Sequence, residues 1–186
     1  SGLPYEVVDD QSRPLPAFTP ANRGLPVTLA DTDGDGVREL VHCQKEGIVL
    51  RRHDGISART VDQFNLPPAY TEGRPFAGLL AHDADRDGRQ EVVAVTSHRD
   101  GTHWRLWLLD LEAQEIRGDV ILPIFPERRE DGRWDGVYFP VAALPAAGRP
   151  RPLVLLICAV AHDVHGRGLL AVDALAGEVV WRRHLD

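Results

Sequence analysis

Two short stretches of this chain carry carboxylates at alternate positions. Asp31, Asp33 and Asp35 lead into Gly36, Val37 and Glu39, and Asp83, Asp85 and Asp87 lead into Gly88, Arg89 and Glu91. Acids spaced in this way turn several oxygens toward one point, and a hard cation such as calcium takes about six to eight oxygen ligands at flexible geometry. The spacing predicts two calcium sites. Positions 1, 3, 5 and 9 of the first loop supply the Asp31, Asp33, Asp35 and Glu39 carboxylates, and position 7 supplies the Val37 carbonyl. The second loop offers Asp83, Asp85, Asp87, Glu91 and the carbonyl of Arg89. Glycine at position 6, Gly36 or Gly88, lets the chain reverse sharply because it tolerates positive φ.

Two other readings compete. An EF-hand shares the first six positions but needs a bidentate glutamate at position 12, where this chain has His42 and Ala94. The flanking segments are also strand-like, so the EF-hand reading fails. Ordinary Asp/Gly turns are the second alternative. Four acids in one loop would repel one another without a cation, which favours the metal.

The loops sit inside a longer repeat. Residues 29–41 align with 81–93 at an offset of 52, matching three aspartates, a glycine, a glutamate and the apolar pair after it. A third copy keeps only the skeleton: Gly148 stands where Gly88 does, while Ala143, Pro145, Ala147 and Arg151 replace the acids. The later part of the unit recurs as Leu106–Ile116 over Leu169–Val179, each a strand, a turn and a strand. Every unit therefore reads as four short strands broken by turn signals, over about 26–75, 76–135 and 136–186, after an extended lead-in at 1–25. A β-sandwich and a stacked solenoid are the other all-β options. The period and the four strands per unit favour blades of a β-propeller, as part of a ring or as an open arc, since a closed ring needs about four to eight.

The doubled loop resembles the FG-GAP or VCBS repeat, the calcium-binding blade of integrin-type propellers. The resemblance covers roughly residues 26–186 and implies one calcium per loop, held by the ten residues named above. It implies an extracytoplasmic domain, periplasmic, cell-surface or secreted, that serves as a binding, adhesion or sensor scaffold for a protein or carbohydrate ligand. Its other partners would be the remaining blades of a larger protein or a second copy. Residues 170–181 are similar to the strand-turn-strand of quinoprotein blades. That similarity supports the alternative of a quinoprotein-like or polysaccharide-acting enzyme whose active site lies outside this segment.

Composition narrows the classes further. A net charge of −7 argues against a nucleic-acid partner. No apolar run reaches the length of a membrane span, and the longest, 153–161, reads as a buried strand. The chain has no methionine, which suggests a piece of a longer protein, and its arginine-rich, lysine-poor usage suggests a GC-rich, bacterial coding background. Cys43 and Cys158 each lie in an apolar run and read as two buried thiols, with a disulfide between them as the alternative. No catalytic constellation is visible, so an enzyme is not expected. His98, His103, His162 and His165 raise a transition-metal site, sharpest at His162 and His165, but sequence assigns no third ligand, and polar loops are the expected role. The four tryptophans, at 104, 107, 134 and 181, read as packing between blades.

Overall fold

A computed structural model of the chain describes residues 26–44, 47–53, 58–71, 76–100, 102–123, 136–160 and 167–185. Among these residues it is all-β, with one short helix, α1 (Pro68–Thr71). Twelve strands form three four-stranded antiparallel sheets, in each of which every strand pairs with its neighbours in sequence. The first sheet holds β1 (Val27–Ala30), β2 (Glu39–Cys43), β3 (Gly47–His53) and β4 (Ala58–Asn65). The second holds β5 (Gly78–His82), β6 (Glu91–Ser97), β7 (Trp104–Asp110) and β8 (Glu115–Leu122). The third holds β9 (Gly136–Leu144), β10 (Leu153–Val160), β11 (Gly168–Asp173) and β12 (Glu178–His184). No helix among the described residues is long and apolar enough to cross a membrane.

The internal repeat of the sequence is a repeat of pairing. Ala30 pairs with Glu39, His82 with Glu91 and Leu144 with Leu153, so loops 31–38, 83–90 and 145–152 occupy the same hairpin of each sheet. The third and fourth strands slip register at one equivalent point, next to Leu50, Leu108 and Ala171. A bulge recurring at one place sharpens the local twist of every sheet in the same way. The β11–β12 turn at 174–177 falls where the Ala176-Gly177 signal predicts a hairpin.

Alternation along the strands divides each sheet into two faces, which the packing uses in order. Val41, Cys43, Ile48 and Leu50 of the first sheet meet Val92, Ala94, Trp107 and Leu109 of the second in one core. The opposite face of the second sheet, with Val93, Val95, Leu106 and Leu108, meets Tyr138, Val154, Leu156 and Leu170 of the third. The middle sheet is thus covered on both sides, which is why β6 is buried along its whole length and reads as an unbroken apolar run. β1 lies against β5 and β5 against β9, while β8 reaches β12 at the other edge. Close approach there needs Gly118: a Cβ on it would stand 2.1 Å from the Ala174 carbonyl oxygen.

Cys43 and Cys158 are buried thiols in the two different cores, with no disulfide between them. Burial pushes the Cys43 thiol well above its ordinary range and Cys158 up to about 11. Trp104 and Trp107 pack in the cores, whereas Trp181 is 43% exposed. Trp134, His162 and His165 lie outside the described residues. β10 is apolar throughout; Val154, Leu156 and Cys158 on one face are fully buried, whereas Ile157 on the other is exposed. Truncating a core residue should therefore separate the two environments. Leu108→Ala, at a fully buried site, is expected to lose about 2–5 kcal/mol in urea unfolding, and Ile157→Ala less than half as much. Equal losses would contradict this assignment of faces.

Candidate metal centre

The two acidic loops fold on the same internal hydrogen bonds. The position-1 carboxylate accepts from the position-6 amide: Asp31 Oδ2 from Gly36 and Asp83 Oδ2 from Gly88, both at 3.0 Å. The position-3 carboxylate accepts from the position-5 amide, Asp33 from Asp35 at 3.1 Å and Asp85 from Asp87 at 3.2 Å. The position-5 carboxylate accepts from position 7, Asp35 from Val37 at 2.7 Å and Asp87 from Arg89 at 2.8 Å. These local bonds suit the short side chain of aspartate, which reaches the backbone two residues on. Gly36 and Gly88 hold φ of 85° and 95°, the left-handed region glycine occupies without strain. At position 4 the first loop also uses glycine, Gly34, whereas Arg86 adopts φ 69° in the second.

The position-9 glutamates differ from the aspartates. Glu39 and Glu91 open the second strand of their sheets and are 1% and 2% exposed. Glu39 Oε2 accepts from the Thr32 amide at 3.0 Å and the Thr32 hydroxyl at 2.7 Å. Glu91 Oε2 accepts from the Ala84 amide at 2.8 Å. Each glutamate thus ties the end of its loop to the start. One oxygen is left over in the first loop: Glu39 Oε1 is buried and accepts no hydrogen bond. A buried carboxylate oxygen that accepts no hydrogen bond is costly, and a cation close beside it would relieve that cost. With a donor set made only of oxygens, the residues fit a hard divalent ion such as calcium.

The carboxylate oxygens of Asp31, Asp33 and Asp35 lie within 4.8 Å of one another, as do those of Asp83, Asp85 and Glu91. Glu39 therefore stands outside the tight group of the first loop, and Asp87 outside that of the second. Asp87 turns instead to the Arg89 side chain at 2.7 Å, whose hydrogen bond holds its carboxyl below the usual carboxylate range. Val37, expected to give its carbonyl, is exposed, as is much of the loop around it. In the third unit the described residues at 145–152 form no acidic group, in line with the lost ligands, and Gly148 keeps its turn at φ 73°.

Sequence reasoning missed the cations that pair with these loops from neighbouring strands. Arg52, from β3, pairs with Asp33 and brings its Nε to 3.5 Å from Glu39 Oε1. Arg117, from β8, sits at 2.7 Å from Asp85, 3.2 Å from Glu91 and 3.9 Å from Asp110. Burial pushes the Glu91 carboxyl up, and the Asp85 charge adds to it, while the Ala84 amide and Arg117 pull it down. The hydrogen bond to Asp85 is the chief cause that raises Arg117. Each arginine lies one or two strands away from its loop, so no local spacing announces it.

Gln90 joins the two loops. Its amide donates to the Asp31 carbonyl at 2.8 Å, and its Oε1 accepts from the Asp31 amide at 3.0 Å. Asp31 of the first sheet is thereby fixed against the second loop before any ion binds.

The histidines make a separate cluster at the β6–β7 hairpin. His98, Asp100 and His103 lie within ligand distance of one another, and the two imidazoles stack at 4.8 Å between centroids. Asp100 is the third group that sequence leaves unassigned. The cluster is closed by its own bonds: Asp100 Oδ1 accepts from Thr102 at 2.7 and 2.9 Å and meets His98 Nδ1 at 2.5 Å. The Thr102 bonds, then His98, hold the Asp100 carboxyl well below the usual range. Both nitrogens of His103 are engaged, by the Tyr70 hydroxyl at 3.0 Å and the Thr102 hydroxyl at 2.8 Å. This is a hairpin tip knit to α1 through Tyr70 and the Ala69 carbonyl.

Comparison with protein-family models, with curated proteins and with solved structures finds no match for this chain.

Because Arg117 stands against the same carboxylates an ion would use, Arg117→Gln should have opposite effects in the two conditions. In chelator it is expected to lose about 1.5–3 kcal/mol of stability, the range for hydrogen bonds to charged groups, with less at high salt. In millimolar calcium the gain in melting temperature should exceed that of the unsubstituted chain. Paired melts with and without calcium decide it, and an unchanged calcium gain would show that Arg117 does not compete for the site.

Proposed function

We propose that this chain is a calcium-binding repeat domain whose sheets are blades of a β-propeller of the FG-GAP or VCBS type. The observation that carries the reading is the shared construction of two loops in equivalent hairpins, each ending on a buried glutamate. Glu39 Oε1 in particular is left without a hydrogen-bond donor. Three four-stranded meanders stacked face on face, with their first strands side by side, support the blade interpretation. Each ion would fasten the loop between the first two strands of its sheet. The domain would act as a binding, adhesion or sensor scaffold for a protein or carbohydrate within a larger protein. It would work in the periplasm, at the cell surface or in secretion, where calcium is abundant enough for sites of about 0.1–1 mM affinity.

Titration calorimetry on chelator-treated protein should count two ions per chain. Asp33→Ala and Asp85→Ala should each remove one, and Arg151→Ala none. An ion that binds only the folded state adds RT ln(1 + [L]/Kd), about 1.4 kcal/mol at tenfold excess over Kd. Each aspartate variant should therefore forfeit roughly that much of the calcium-dependent stability. A count of zero with the fold intact would overturn the proposal.

A further inference from the structure

Among the described residues, no other sheet packs on one face of the first sheet or on one face of the third, and these are the two halves of one contact. Within the chain, the face of the first sheet that carries Val41 and Leu50 receives the face of the second that carries Val92 and Leu109. The far face of the second sheet receives the corresponding face of the third in the same sense. The contact is thus made twice, always between a far face and a near face. What remains is the near face of the first sheet and the far face of the third.

Both remaining faces are built for burial. In the second sheet the cross-strand pair Val95–Leu106 belongs to the far face and is fully buried beneath the third sheet. Its counterpart in the third sheet is Ile157–Leu169, extended across β10 to Phe139. Leu155 and Trp181, both paired with Ala171 or its neighbours in the next row, continue the same surface. Here Ile157 is 37%, Phe139 41% and Trp181 43% exposed, on a face whose equivalent in the second sheet is sealed. The near face of the first sheet carries the pair Leu29–Leu40, the counterpart of Ala81–Val92, which closes the first core. Leu29 is 53% and Val27 47% exposed, although His42 and Val49 of the same face are buried. Contiguous apolar surface of this kind marks an interaction site.

We infer that a second copy of this chain docks head to tail, seating the near face of its first sheet, around Leu29, on the far face of the third sheet, around Ile157 and Trp181. The occupant follows from continuity with the contact already made twice inside the chain: a first-sheet near face is the one surface described here that matches what the far faces accept. The contact is heterologous, so it either closes into a ring or grows into longer assemblies. Closure with two copies, which together bring six sheets, rests on the propeller reading, whereas the docking itself rests on the sheet packing alone.

Sedimentation of the intact chain at low and high micromolar concentration tests this, with Leu29→Glu and Trp181→Glu as variants. Both positions are exposed, so circular dichroism should show the fold unchanged. The unsubstituted chain should form a dimer, and each variant alone should weaken it at least about tenfold, or roughly 1.4 kcal/mol. An equimolar mixture of the two variants should regain dimer, because one of its two contacts is then fully unsubstituted. A chain that stays monomeric at high micromolar concentration overturns the inference, as does a dimer that Leu29→Glu leaves intact, which would mean two third sheets meeting face to face. Assemblies beyond two copies would support the docking and count against the closed ring. A calcium count on the same samples keeps the readings apart, since a monomer that binds two ions leaves the calcium proposal standing.

Discussion

At the start of β2 and of β6 a glutamate carboxylate is folded into the protein interior to accept the backbone amide of a residue seven positions earlier. A buried carboxylate must be hydrogen-bonded or paired, because unpaired charge away from water costs several kcal/mol. That requirement fixes where each loop begins and ends. Ala30 then meets Glu39, and His82 meets Glu91, as the first pair of a hairpin, and the rest of the strand register follows. With the register set, the apolar residues of β2, β3, β6 and β7 fall on alternate faces, and a slip of one residue would turn each core set outward.

The same geometry explains the charge arrangement. Tight Asx-type turns bring carboxylates of successive aspartates close together, an arrangement that raises its own electrostatic energy. Arg52 and Arg117 offset part of it from neighbouring strands, and Gln90 pins the first loop to the second. A divalent ion would concentrate more positive charge among the same oxygens and, on the proposed reading, take over from the arginines. The third unit needs neither device. With its acids lost, loop 145–152 keeps the hairpin by turn geometry at Gly148, and Arg149 pairs with Glu178 at 2.8 Å instead.

Much of the fold was legible because its signals are local. The doubled Asp-x-Asp-x-Asp-Gly spacing, the apolar strands after it and the Ala176-Gly177 turn all act within a few residues, and all fall in the hairpins they indicate. The recurrence of the loop and of the strand-turn-strand after it carried the division into three sheets. What sequence could not give were contacts across strands. Arg52 reaches Asp33 over 19 residues and Gln90 reaches Asp31 over 59, with no periodicity to tie them. The His98–Asp100–His103 cluster was half visible: the histidines stand out, but Asp100 joins them only when the hairpin closes. The run at 153–161 looked uniformly buried because composition does not say which face of a sheet is left uncovered by the other described sheets.

Two equivalent loops, and no third, are the proposed calcium sites. This is tested most directly by a crystal structure of the chain grown with calcium, read through its anomalous difference density. One peak is expected within loop 31–39 and one within loop 83–91, each ringed by carboxylate and carbonyl oxygens at about 2.3–2.6 Å, and none at 145–152. Loops that keep Arg52 on Asp33 and Arg117 on Asp85, with no density between the aspartates at millimolar calcium, would contradict it.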